Sequence, residues 1–176
     1  DNWPMTWADD DHQYTAYGDG WGFEPLIKEK LSMGLCRVEG SSDDFRGVNL
    51  RSPTLETLGQ GMMGVKASGM LMVDGVLYLL ARNAGNSRLA WSGDHGQTWT
   101  WSDWKFTQSF GCPTFLNFGK NYAGARDEYV YVYSQDHDSA YEPADRMVMA
   151  RVHKSRIKEQ AAYEYFRGLD GSGNPS

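Results

Sequence analysis

An all-β fold is predicted by three features of this 176-residue sequence. Twenty Gly stand against six Pro, and the apolar residues fall in short runs rather than long helical repeats. The run Tyr129-Val130-Tyr131-Val132-Tyr133 alternates with the period of a strand. Asp74-Gly75 separates two apolar runs by the two residues of a tight hairpin turn, whose central positions want positive φ. With 40% hydrophobic and 23% charged residues the chain can bury a core as one domain, which excludes disorder as its main state.

The clearest elements lie in the middle of the chain. Strands are expected at 68–73 and 76–82, joined by Asp74-Gly75, then at 87–92 and 99–101, with the turn 93–98 between the last two. Four meandering strands in about 35 residues form one blade of a β-propeller. The same template fits the preceding segment, with strands at 4–8, 13–18, 34–38 and 45–50. It also fits the following one, with strands at 113–118, 129–133 and 146–152. Blade one is therefore placed at about 1–50, blade two at about 66–104 and blade three at about 110–168. From Lys154 to Arg167, Ile157, Ala161 and Tyr165 recur every four residues, which favours a short C-terminal helix over a last strand. Propellers close with at least four blades, so 1–176 is expected to be a partial propeller domain lacking about two blades.

Charge and apolar patterning exclude several partners. A net charge of −6 without a basic cluster argues against nucleic acid. No apolar run approaches the roughly 20 residues that span a bilayer, so no membrane partner is expected. Cys36 and Cys112 lack the paired spacing of a zinc or redox motif and are expected to be free thiols; no cofactor or metal is called for.

The turn Ser92-Gly93-Asp94-His95-Gly96-Gln97-Thr98-Trp99 matches S-x-D-x-G-x-T-W and resembles the Asp box of sialidase-type propellers. Its logic is structural: Asp94 accepts backbone N–H groups, Gly96 takes a conformation costly for other residues, and Trp99 packs between strands.

Blade topology also sorts the acids. Turns after first and third strands share one face, and ligands sit on the other, over the central channel. Asp9-Asp10-Asp11-His12 then reads as a solvated hairpin, and Trp7, Trp91, Trp99, Trp101 and Trp104 as packing residues. The ligand face collects Asp1, Trp3, Asp19 and Trp21 from blade one. Blade two adds Lys66, Ser68, Arg82, Asn83, Asn86 and Arg88, and blade three adds Cys112, Asp136 and His137. Indoles beside carboxylates suit a sugar, which stacks its C–H face and hydrogen-bonds its hydroxyls. Glycoside cleavage needs two carboxyls flanking the scissile bond, and Asp1 and Asp19 are the expected catalytic pair, in unassigned order. Trp3, Trp21, Lys66, Arg82, Asn83, Asp136 and His137 are the expected substrate contacts. Lys66 and Arg82 could also tune the acids, while Arg82 could equally pair with a neighbouring carboxylate.

The strings Asp1 to Asp10 (DNWPMTWADD), Tyr14 to Phe23 (YTAYGDGWGF), Lys66 to Met70 (KASGM), Ala81 to Ala84 (ARNA) and Phe110 to Tyr122 (FGCPTFLNFGKNY) resemble a bacterial and fungal family labelled a domain of unknown function. Asp145 to Met147 and Tyr163 to Gly168 add to the match. The resemblance implies a five-bladed propeller, and for some members endo-D-arabinanase activity, which supports Asp1 and Asp19. An F-R-I-P string and an arginine triad are missing, so no sialidase residues are carried over. The expected function is hydrolysis of a polysaccharide or oligosaccharide, arabinan included, in the extracellular or periplasmic space. A non-catalytic carbohydrate-binding propeller is the alternative, and a protein-binding propeller a third class.

Overall fold

The computed structural model describes residues 3–176. Twelve strands form three four-stranded antiparallel meanders, each with its strands in sequence order. Blade one comprises β1 (Met5–Trp7), β2 (Gln13–Tyr17), β3 (Gly34–Gly40) and β4 (Phe45–Leu50). Blade two comprises β5 (Lys66–Val73), β6 (Val76–Arg82), β7 (Arg88–Ser92) and β8 (Thr100–Lys105). Blade three comprises β9 (Thr114–Phe115), β10 (Tyr129–Gln135), β11 (Met147–His153) and β12 (Glu164–Tyr165).

The sheets are wedges around an axis rather than layers of a sandwich, because their first strands meet. β5 touches both β1 and β9. The Thr6 hydroxyl accepts the Met72 N–H at 2.8 Å and donates to Asn117 Oδ1 at 2.9 Å, linking all three blades near the centre. The Ser68 hydroxyl donates to the Pro113 carbonyl at 2.6 Å.

Two apolar clusters fill the gaps between blades, and the strand alternation of blade two feeds both. Met70, Met72, Leu77 and Leu79 pack towards blade one with Tyr14, Ala16 and Leu35. Leu71, Val73, Tyr78 and Leu80 pack towards blade three with Val130, Val132 and Phe115. A blade buried on both faces needs apolar residues at every position, which is why β5 reads as a continuous run. Gly69 permits the close approach of the inner strands: a Cβ there would lie 2.8 Å from Thr114 Cα and 3.0 Å from Phe115 N. Gly69→Ala is expected to push β9 outward and cost about 1–3 kcal/mol, read as a lower denaturant midpoint at unchanged m-value.

The C-terminal helix is not formed. Lys154–Arg156 and Gln160–Ala162 are single 3-10 turns, and the chain then continues into β12, which pairs Ala150 with Tyr165 and Arg151 with Glu164. Of the residues at that spacing only Ile157 is buried; with Tyr163 it packs between blades two and three, and the Tyr163 hydroxyl donates to the Ile157 carbonyl at 2.9 Å. Pairing along β11 satisfies backbone groups that a short exposed helix would leave to water.

Smaller shifts follow from packing. β5 begins at Lys66, two residues before the expected start, because the register continues to the Lys66 and Arg82 pair. Trp99 precedes β8, and β9 has only two paired residues. Trp7 points outward at 42% exposure, since in β1 it is Thr6 that faces the axis. Cys36 is a buried free thiol and Cys112 a half-buried one.

Candidate functional site

At the end of β2 the chain turns through Asp19, whose φ of 50° lies in the left-handed region that Asp tolerates. That turn aims the carboxylate at the first residue of β5. Lys66 Nζ donates to Asp19 Oδ1 at 2.6 Å, and the Gly61 N–H donates to Oδ2 at 3.2 Å. The Lys66 side chain is almost wholly buried and the Asp19 side chain mostly so. Burial pushes the Asp19 pKa up, but the hydrogen bond and charge of Lys66, the Gly61 N–H and the field of Lys30 outweigh it. The net effect holds Asp19 below the usual carboxylate value, ionised at neutral pH.

Lys66 is the cross-strand partner of Arg82 on β6. Arg82 Nη1 donates to Cys112 Sγ at 3.7 Å, and its guanidinium carbon lies 5.5 Å from the centre of the Tyr141 ring. Asn83, at φ 61°, donates to the Gly64 carbonyl at 2.8 Å and to the Tyr141 hydroxyl at 3.3 Å. Asp19, Lys66, Arg82 and Asn83 thus form one continuous patch, tied to the 61–64 segment. Tyr141, missed from sequence, joins it from the loop between β10 and β11; its hydroxyl also reaches the Gly61 carbonyl at 3.4 Å. Only its place in a second-to-third-strand loop could have flagged it.

The remaining expected contacts are held by other partners. Asp136 accepts the Ser109 hydroxyl at 2.6 Å, and Asn86 Nδ2 donates to the Ser109 carbonyl at 2.8 Å. His137 braces its own loop, with Nδ1 accepting the Ser139 N–H at 3.0 Å. Trp3 packs on Tyr17 and Phe23, and the ring of Trp21 lies under the Lys30 ammonium at 5.4 Å; both indoles remain more than 40% exposed. Ser68 and Arg88 are scaffold rather than ligand contacts: Ser68 joins β5 to the 113 carbonyl, and Arg88 Nε donates to the Ser102 carbonyl within blade two. Asp1 lies outside the described residues.

The opposite face holds the turn from Ser92 to Trp99. Thr98 gives Asp94 both its hydroxyl, at 2.6 Å, and its N–H, at 2.9 Å, and the Ser92 hydroxyl donates at 2.7 Å. Gly96 has φ 85°, and buried Trp99 donates from its indole to the Gly96 carbonyl. The Thr98 contacts first, then Ser92 and the Gln97 N–H, lower the Asp94 pKa to about 2. A depressed pKa stabilises the fold above the unfolded value and is lost as pH falls from about 4 to about 2. Asp94→Asn is expected to lower the melting temperature at pH 6 and to flatten its decline across that window.

The hairpin Asp9 to His12 is not merely solvated. Asp9 Oδ1 lies 2.8 Å from His95 Nε2 of blade two, Asp10 accepts the Tyr14 hydroxyl at 2.8 Å, and Asp11 accepts from Lys120 at 2.6 Å. It is a clasp between blades. Asp9, Asp10 and His95 each offer a ligand atom within 4.8 Å of the others, the arrangement among the described residues that could hold a metal ion. A separate cleft of about 510 Å³ lies between Phe106–Phe110 and the β11–β12 edge. Among the described residues no helix is long and apolar enough to cross a membrane.

The sheets and their central contacts define an all-β protein with propeller blades. No family model matches the chain, and no curated protein does. Among solved structures it is similar to the phage phi92 endosialidase, with 18% sequence identity and a TM-score of 0.46, over 88% of this chain and 23% of that one. The chain thus spans about a quarter of that protein's length.

Proposed function

We propose that this is a carbohydrate-active propeller that hydrolyses a glycosidic bond of a polysaccharide, with Asp19 as the ionised carboxylate and Asp1 as the second carboxyl of the pair. One observation carries the reading. Asp19 is held ionised by Lys66 and the Gly61 N–H where blade one meets β5, with the amide of Asn83 bonded to the same 61–64 segment. An ionised carboxylate there can serve as base or nucleophile, while a pKa held down makes it a poor proton donor. Lys66 fixes the carboxylate's position as well as its charge, and Trp3 and Trp21 offer flat surfaces for sugar rings.

A non-catalytic carbohydrate-binding module is the second reading: it uses the same exposed indoles and the Asn83 amide and needs no second carboxylate. The panel that separates them incubates neutral and acidic polysaccharides, arabinans included, with the protein and with its Asp19→Asn and Asp1→Asn variants. Release of reducing ends by the unaltered protein and its loss in both variants is expected. Equal release by all three removes the site assignment, and binding without release selects the module.

We also propose that 1–176 belongs to a larger, five-bladed ring. The side of blade three turned away from blade two supports this reading: Tyr129, Tyr131 and Tyr133 lie half-buried along it, with Met147 67% exposed beside them. Such a face suits burial against a further sheet.

A further inference from the structure

We propose that Arg82 reads a carboxylate on the sugar bound beside Asp19, so that the glycan taken by this face is acidic. The inference rests on the glycan-binding reading above and adds the substrate class. Its basis is the difference between two neighbouring cations. Lys66 and Arg82 are paired across β5 and β6, and Lys66 is neutralised by Asp19. Arg82 has no carboxylate within ion-pair distance among the described residues. Its Nη1 reaches only a thiol at 3.7 Å, and its Nε is a buried donor with no partner.

A buried guanidinium N–H without an acceptor is costly to the fold and calls for a partner, and Arg82, unlike Arg37 with its Glu39 ion pair, has no carboxylate to compensate it. The chemistry of the missing partner follows from which edge lacks an acceptor. With Nη1 turned to Cys112, the Nε and Nη2 edge is left, and two parallel donors on one edge match the two oxygens of a carboxylate. A neutral sugar hydroxyl would satisfy one donor and leave the charge uncompensated. The cover over Arg82 is light. Tyr141 is 38% exposed and held by hydrogen bonds of 3.3 and 3.4 Å, so its ring can turn aside and stack on the incoming sugar. In a chain of net charge −6, a lone guanidinium at the convergence of the blades also offers an anion its local attraction.

The test measures binding to the whole chain by titration calorimetry or NMR at constant ionic strength. The probes are D-galacturonate, its methyl ester, D-galactose, D-galactose 6-phosphate and acetate. Galacturonate is expected to bind at least tenfold more tightly than its ester and than galactose, and Arg82→Gln is expected to abolish that difference. Equal affinity for acid and ester overturns the inference, as does tighter binding of the phosphate, or acetate binding as tightly as galacturonate. Should Arg82→Gln fail to fold, the acid and ester comparison on the unaltered protein decides alone. Acid preference in a protein that cleaves no polysaccharide keeps this inference and overturns the hydrolase reading. Cleavage of neutral and acidic glycans at equal kcat/KM does the reverse.

Discussion

Asp19→Asn is expected to lower kcat/KM for polysaccharide hydrolysis by roughly 10²–10⁴-fold, the usual contribution of a positioned acid or base. The amide keeps the size of the side chain and one acceptor for Lys66, so circular dichroism should change little, while the melting temperature should fall because the nearly buried Lys66 ammonium loses its counter-charge. The pH dependence gives the assignment a second, independent readout. With its folded pKa lowered, Asp19 is ionised above that value, so the acidic limb of the rate profile should fall below the usual carboxylate range. Removing the first supporting charge with Lys66→Met leaves burial, which raises the pKa, less opposed. The acidic limb should then move upward. A limb that stays in place would mean that some other group sets it.

Leu80→Ala is expected to cost about 3 kcal/mol, because a fully buried side chain at the junction of blades two and three would leave a cavity that strands on both sides hold open. For a chain of this size that corresponds to a melting temperature lower by roughly 10 °C. The location matters more than the size of the loss. Leu80 packs with Val130, Val132 and Phe115 of the next blade, so the effect should couple to mutations there, and Leu80→Ala with Val132→Ala should depart from additivity. Additive losses would imply that the blades are stabilised independently.

The propeller was legible where local chemistry and tertiary pairing agree. Asp74-Gly75 closes its hairpin with φ of 48° and 77°, and the alternation of Tyr129 to Tyr133 is the alternation between the two faces of β10. The turn at Ser92 carries its own hydrogen bonds and could be read without knowledge of the rest of the chain. The region after Lys154 was misread because Ile157 and Tyr165 share a helical spacing while only Ile157 is buried; β11's open edge, invisible in the local pattern, decides the outcome. Asp19, Lys66, Arg82 and Asn83 lie together as their strand order implies, since that order alone puts them on one face. Tyr141 and the Gly61 N–H do not follow from strand order, since both arrive through loops whose path depends on contacts between blades. The clasp of Asp9 with His95, 86 residues apart in sequence, was hidden for the same reason.

The most direct measurement follows backbone amide shifts while arabinan and polygalacturonan oligosaccharides are added to the isotope-labelled protein. Its most informative reporter is Gly61, whose N–H is bonded to Asp19, with Asn83 close behind. Movement of these two signals, with Thr98 and Gly96 on the far side unmoved, is the result that follows if sugars bind where the blades converge. Shifts confined to Thr98 and Gly96, or to Phe166 in the outer cleft, with Gly61 silent, would contradict it.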